Sequence, residues 1–387
     1  MKFIHLGDTH IGKVYKDETR NDDIKLAFSY FVNKAIEIKP DFIVHSGDLF
    51  NEGFPRIEDL IFVTDQLMKI KNAGIKLFAI PGSHDVGYGE ENSIIDIFDK
   101  SDLLTNLNST KYLKIEDNEI ILKGEKYKNA FIAGIKGKRT RAQEDLFKKL
   151  KVEMQDAWIK IFLFHHTISE LGEEFKDIDI NDLPKGFDYY AAGHWHGHKD
   201  GIKYEKGIIN YPGSLEYCDA FEIENYNERG FYLIDYDEEG IKNIEYINIP
   251  TKQKEIIYLN VENLKASEIF NQIILRLNKN EGKLLIIKLE GKMNGFKSEL
   301  DIERIKEICK ENGYSYVNIN TSKLQDSKSS EKIEIKEKRI DEIEEKYLAK
   351  KGFNEKEIKI AKLLMLASEE NKDSERLLDE LMKEYDN

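Results

Sequence analysis

Three short apolar runs open the chain: KFIHLGD from Lys2, DFIVHSGD from Asp41 and IKLFAIPGSHD from Ile75. Amphipathic stretches near residues 22–38 and 56–73 separate them. Alternating strand and helix in this order implies a mainly parallel sheet covered by helices, because a parallel crossover needs a helix to return the chain. Further strands are expected at AFIAGIK, IKIFLFHH, FDYYAAGH, GIINYPGS and GFYLIDYD. Nearly every one of these runs ends in a polar cluster. In open α/β sheets, sites form at the carboxyl ends of strands, so clusters far apart in sequence can meet in space.

The histidines sharpen this. All nine lie within the first 198 of the 387 residues: His5, His10, His45, His84, His165, His166, His194, His196 and His198. Such asymmetry favours a metal or acid/base site there. In AAGHWHGHKD, histidines at alternate positions would share one face of an extended backbone, so two or three rings could converge; a polar loop facing water is the alternative. The strand-end clusters in order are GDTH (Asp8, His10), SGDLF (Asp48), PGSHD (Ser83, His84, Asp85), FHHT (His165, His166) and GHWH (His194, His196). Carboxylates mixed with imidazoles suit manganese, iron, cobalt or zinc. Asp48 follows a glycine that allows close approach, so its carboxylate could bridge two ions, the arrangement that activates water against a phosphoester. His5 and His45 lie within strands and read as packed core residues.

Composition sets limits. With 387 residues and 40% hydrophobic content the chain can form two or three domains. No apolar run approaches the roughly 20 residues of a membrane span. MKFIHLGDTH reads as a buried first strand and not a signal peptide. Cys218 and Cys309, the two cysteines, are too far apart for a disulfide framework, which points to a reducing cytoplasm. A net charge of −14 argues against bulk charge-driven nucleic-acid binding but leaves room for a local contact. The basic run KGKRTR, with Lys136, Lys138, Arg139 and Arg141, suits a loop reaching for phosphates, or a solvated loop. Tyr15, Lys16 and Arg20 could likewise touch a phosphate backbone or be exposed loop residues.

The ordered motifs resemble those of the calcineurin-like metallophosphoesterases, D-x-H, G-D, G-N-H-[DE], H and G-H-x-H, over roughly residues 1–240. Within them, GDTHIG followed by SGDLF is similar to the double-strand-break repair nucleases, the meiotic recombination eleven and SbcD family. The resemblance implies a layered mixed-sheet α/β core with helices on its faces, a small α+β cap and a helical C-terminal tail. It implies that Asp8, His10 and His196 hold one manganese, His165 and His194 a second, and Asp48 bridges them. His84 matches the histidine that stabilises the transferring phosphate or protonates the leaving oxygen. His166 competes with His165 for the ligand role, and His165 is preferred. His198 has no counterpart and reads as a surface or supporting group. Asp85 could orient His84 or cap the following turn. Ser83 stands where the pattern has asparagine; its shorter hydroxyl would hold the second metal loosely or through water.

Beyond residue 250, KEIIYLNVE, SEIFNQIILRL, KLLIIKLEG, SELDIERIKEICKENG and YSYVNIN form a βαβαβ unit without a catalytic cluster. The expected layout is a nuclease domain (1–250), a cap (251–321), a Ser- and Lys-rich linker (322–330) and a helical region (331–387). In that tail Asn354 and Glu357 suggest a capping box and Phe353 and Ile358 a staple, while Leu377, Leu378, Leu381, Met382 and Tyr385 form an apolar stripe. The stripe docks on the protein itself or on a partner, which the resemblance implies is an ABC-type, SMC-like coiled-coil ATPase. The resemblance also implies a homodimer, with Ile57, Leu60, Ile61, Ile94, Ile95 and Phe98 supplying apolar side chains, burial within the monomer being the alternative.

The resulting expectation is a two-manganese DNA exonuclease and endonuclease acting on double-stranded ends and single strands. A small-molecule phosphodiesterase or phosphatase would share every ligand. A catalytically silent scaffold that tethers DNA ends is the other alternative, motivated by Ser83.

Overall fold

The computed structural model describes residues 1–15, 18–87, 92–116, 119–137 and 144–327. The tail read as helical, with its capping box, staple and stripe, lies outside the described residues.

Residues 2–248 build two six-stranded sheets where the alternation alone implied one. In the first, Lys2–Leu6, Phe42–His45, Lys76–Ala79 and Thr105–Asn106 run parallel, with Gly230–Asp237 and Gly240–Asn248 added antiparallel at one edge. In the second, Ala130–Ile135, Ile159–His165, Tyr189–Gly193 and Gly207–Tyr211 run parallel between antiparallel edge strands. Strand alternation decides how they stack. Phe3, Phe42, Val44 and Phe78 of one sheet meet Ile132, Ile161, Leu163 and Tyr189 of the other in a shared core, because residues two apart share a face.

The opposite faces are covered separately. Ile4, Leu6, Ile43 and Leu77 pack under the helices Asn21–Ile38 and Ile57–Asn72. The first helix buries Ile24, Ala27, Phe28, Phe31, Val32 and Ala35, the spacing of one helical stripe. It ends at Lys39, which adopts a left-handed φ of 53°, directly before Pro40. Phe131, Ala133, Phe162, Phe164 and Tyr190 face Phe147, Ile178, Leu183 and Phe187 on the outer side of the second sheet.

The cap is a three-stranded parallel sheet, Lys254–Asn260, Leu284–Lys292 and Tyr316–Gln325, with helices Ala266–Ile274 and Ile302–Glu311. Its last strand continues through Gln325, into the segment read as linker, because Leu324 is buried in the cap core and pairs with Gly291. Cys218 and Cys309 are buried free thiols. Among the described residues, no helix is long and apolar enough to cross a membrane.

Candidate metal centre

The parallel strands of both sheets end at one place. Asp8 and His10 follow Lys2–Leu6, Asp48 follows Phe42–His45, Ser83 and His84 follow Lys76–Ala79, His165 closes Ile159–His165, and His194 and His196 follow Tyr189–Gly193. At these ends the backbone leaves its ordinary range. Asp8, His10, Asp48 and His194 have φ of 50°, 51°, 55° and 83°, left-handed values that are costly for non-glycine residues and persist only where surrounding bonds impose them. Those bonds are present. Asp8 N–H donates to Gly47 O at 2.9 Å and His10 N–H to Asp48 O at 3.0 Å. The Asp85 carboxylate accepts from Leu49, Phe50 and Gly82 N–H at 3.2, 2.9 and 2.9 Å. Asp85 therefore pins the loop carrying Asp48, while Asn51 O holds the His84 ring. Gly82 is required by proximity: a Cβ there would lie 2.2 Å from both the amide nitrogen and Oδ1 of Asp48.

Asp48 sits in the middle. Its Oδ2 is 3.0 Å from His165 Nε2, 3.6 Å from His10 Nε2 and 3.5 Å from Ser83 Oγ. Its Oδ1 accepts the His84 backbone N–H at 2.7 Å. On one side, His10 Nε2 and His196 Nε2 approach to 2.9 Å, with Asp8 Oδ1 3.9 Å from His196 Nε2. On the other, His194 Nδ1 lies 3.3 Å from His165 Nε2. Asp8 itself receives the His194 backbone N–H on both oxygens at 3.0 Å. Two groups of possible ligand atoms, His10–Asp48–His84 and Asp48–His165–His194, thus share Asp48. Carboxylate oxygens and imidazole nitrogens within 4.8 Å of one another suit divalent ions of intermediate hardness.

Outer hydrogen bonds choose the tautomers. His165 donates Nδ1–H to Ser46 O at 2.8 Å, which leaves Nε2 toward Asp48. The His84 Nδ1–H donates to Asn51 O at 2.7 Å. His196 Nδ1 is 2.6 Å from Glu222 Oε1, the carboxylate–imidazole contact that fixes ring orientation at metal sites.

Charge follows from burial and neighbours. Burial disfavours ionised Asp48, but His165, His10 and His84 hold its carboxyl well below the usual range. Burial alone would lower His165, yet Asp48 and Asp8 raise it to about 9. Asp8 is pushed up to about 6 by burial, against the pull of His165 and His196. Burial and the neighbouring His165 take His194 down to about 4. Without a cation, a proton on His165 is what balances Asp48.

His166 points to the outer face, edge-on to Phe147 at 5.1 Å, as alternation along Ile159–His165 requires. The histidine triplet does not share a face: the strand stops at Gly193 and the φ of His194 breaks the alternation. His198 turns away, 2.8 Å from Tyr232 OH and stacked on Tyr246 at 3.8 Å. His5 and His45 are core residues, His5 between Tyr189 OH and Ser46 Oγ at 2.9 and 3.2 Å, and His45 against Thr9 Oγ1 at 2.7 Å.

Arg20 is not an exposed phosphate contact. It is buried, paired with Asp23 at 3.0 Å and Glu216 at 3.1 Å, and lies over the Tyr316 ring of the cap. Lys136 lines a 630 Å³ cleft beside Pro81, and its backbone N–H donates to Asn108 Oδ1 at 3.0 Å. Lys16, Lys138, Arg139, Arg141 and the side chain of Tyr15 lie outside the described residues.

Of the side chains expected at a dimer contact, Ile94, Ile95 and Phe98 belong to the monomer's own core, and Leu60 is partly buried against it. Ile57 and Ile61 are exposed, as is Phe54. Sequence reading missed Glu222 and Arg229. Both are buried, joined at 2.7 Å, yet in DAFEIENYNER they look like ordinary surface charges.

A family model described as calcineurin-like phosphoesterase matches residues 1–198. The DNA double-strand break repair protein Mre11 of Methanocaldococcus jannaschii is 30% identical over 298 residues, which cover 74% of this chain and 75% of the relative. The protein of the same name from Sulfurisphaera tokodaii is 32% identical over 305 residues, covering 75% and 74%. That of Sulfolobus acidocaldarius is 26% identical over 396 aligned residues, covering 100% and 98%.

Proposed function

Since the chain belongs to the calcineurin-like phosphoesterases and, within them, to the Mre11 proteins of DNA double-strand break repair, we propose that it hydrolyses DNA phosphodiester bonds with a pair of manganese ions. It acts as an exonuclease and endonuclease at broken or blocked ends. The observation that carries this reading is the central place of Asp48, with His10 and His196 to one side and His165 and His194 to the other. Asp8, His10 and His196 would hold one ion and His165 and His194 the other, with Asp48 shared between them and the Ser83 hydroxyl available to the second.

Bound divalent cations would polarise the phosphodiester and lower the pKa of water. The chain's own residues do the rest. Asp85 and the glycines at 47 and 82 hold the Asp48 loop, Ser46 and Glu222 fix the rings of His165 and His196, and burial strengthens every charge interaction among them. His84, its Nδ1–H committed to Asn51 O, uses Nε2 to hydrogen-bond the phosphate or to hand a proton to the leaving oxygen.

The homodimer draws on the exposed Phe54, Ile57 and Ile61, and the tail from about residue 331 grips an ABC-type coiled-coil ATPase. Lys136 and the basic residues after it meet the DNA backbone. One observation favours a second reading, an end-tethering scaffold with little catalysis: Ser83 offers a short hydroxyl 3.5 Å from Asp48. Incubating the purified protein with an end-labelled duplex and manganese separates the readings. Shortened labelled strands are expected. Binding without cutting supports the scaffold, and cleavage of a model diester without duplex binding supports a small-molecule phosphodiesterase.

A further inference from the structure

We propose that the cap domain sets the geometry of one metal position through Glu222, a positioning residue for His196. The inference rests on His196 holding a metal and adds a control from outside the site. Glu222 is almost wholly buried. One oxygen lies 2.6 Å from His196 Nδ1, and the other accepts from Ser214 Oγ at 2.7 Å, Cys218 N–H at 3.1 Å and Arg229 Nη2 at 2.7 Å. Arg229 also donates Nη1–H to His196 O at 2.6 Å, so the pair holds both the ring and the backbone of His196.

Glu222 stands on Ala220–Asn225, a helix of six residues. A helix that short does not hold itself in place. Asp219 caps its start, accepting Glu222 N–H at 2.9 Å. Its other end is held by the cap. Lys254, the first residue of the first cap strand, donates Nζ–H to Ile223 O at 2.7 Å and to Tyr226 O, carbonyls that the helix end leaves without an internal partner. Lys288, on the middle cap strand, pairs with Glu224. Ile223 packs with Leu284 and Ile286 of the cap sheet. A shift of the cap therefore moves the helix, the carboxylate and the imidazole together. By linkage the effect is reciprocal: filling the metal position steadies the cap.

The test titrates the full-length chain with Mn²⁺, following free ion by electron paramagnetic resonance, for wild type, Glu222→Gln, Glu222→Asp and the double variant Lys254→Met with Lys288→Met. Glu222→Gln is expected to weaken one binding event by about 10–100-fold and spare the other. Glu222→Asp should fall between it and wild type. The lysine pair, remote from any ligand, should weaken the same event by about 2–30-fold. Hydrogen exchange at Lys254–Asn260 should slow when Mn²⁺ is added. Wild-type affinity for both ions in the lysine pair, with an unchanged melting temperature, overturns the coupling, and wild-type affinity in Glu222→Gln overturns the positioning role. If Glu222→Gln does not fold, the lysine pair and Glu222→Asp decide. A wild type that binds no Mn²⁺ instead refutes the metal reading on which the inference rests.

Discussion

The nuclease-like core and the cap are both built on parallel strands joined by helices, yet only one of them carries strain and buried charge at its strand ends. In the core, four non-glycine residues at converging strand ends adopt left-handed φ, and aspartates, histidines, a glutamate and an arginine are buried around them. In the cap, Leu259, Ile269, Leu285, Ile287, Leu289 and Ile305 fill the interior. Among the described residues no buried charged side chain follows Arg229, and Asn263 is the one non-glycine residue beyond it with positive φ. Chains whose local choices all agree with the fold gain stability, and departures cluster where function requires them. The cap is a stabilised support; the core's strand ends are held against their preferences to bring like donors together.

Substitutions should separate the two regions. The largest effect is expected at Asp48: Asp48→Asn keeps a residue tolerant of positive φ but loses the shared anionic ligand. Manganese-dependent cleavage should fall at least about a thousandfold, about 4 kcal/mol of activation free energy, measured on a labelled duplex. Near-normal activity would remove Asp48 from the centre of the account. His84→Gln should lower cleavage by about 10²–10⁴-fold while metal and DNA affinities stay near wild type. Loss of metal occupancy in that variant would move His84 among the ligands.

In the cap the currency changes from rate to stability. Ile287→Ala, at a fully buried position, should cost about 2–5 kcal/mol by chemical denaturation. Below its unfolding transition it should bind manganese as the wild type does. A metal-binding defect in the folded variant would show that the cap interior, and not only its lysine contacts to the short helix, reaches the site.

The smallest effect belongs to the polar interior between the sheets. Burial, together with the nearby His45, lowers His5 from 6.5 to about 3. Between those values the unfolded imidazole is protonated and the folded one is not, so stability is present above pH 6.5 and is lost as pH falls. By pH 5 the loss from this residue is about 2 kcal/mol. In metal-free protein, His5→Gln should flatten the fall in melting temperature between pH 7 and 5. An unchanged slope would show that His5 is not the group responsible.

Much of this was legible in sequence because each apolar run ends in its polar cluster: strand ends are where side chains are freed from pairing, and the order of Asp8, Asp48, His84, His165 and His194 follows the strands. What escaped depends on contacts that one strand does not report. Alternation within Lys2–Leu6 implies two buried faces but not that a second sheet covers one of them. Ile95 and Phe98 look alike whether they face a partner or their own core. Arg20 reads as a loop cation until Glu216, nearly two hundred residues away, is placed beside it. Glu222 carries no local mark at all, since what buries it is the packing of a short helix between His196 and the cap. His165 and His166 differ by a single step along a strand, and only the face toward Ser46 and Asp48 distinguishes them.

The proposed activity requires one dinuclear centre with Asp48 between two groups of imidazoles. Manganese-soaked crystals, with anomalous scattering measured at the manganese edge, test it most directly. Two peaks about 3.5–4 Å apart are expected, one bounded by Asp8, His10 and His196, the other by His165 and His194, with Asp48 touching both. Manganese found only at scattered surface carboxylates, or a single ion that leaves Asp48 uncoordinated, would contradict it.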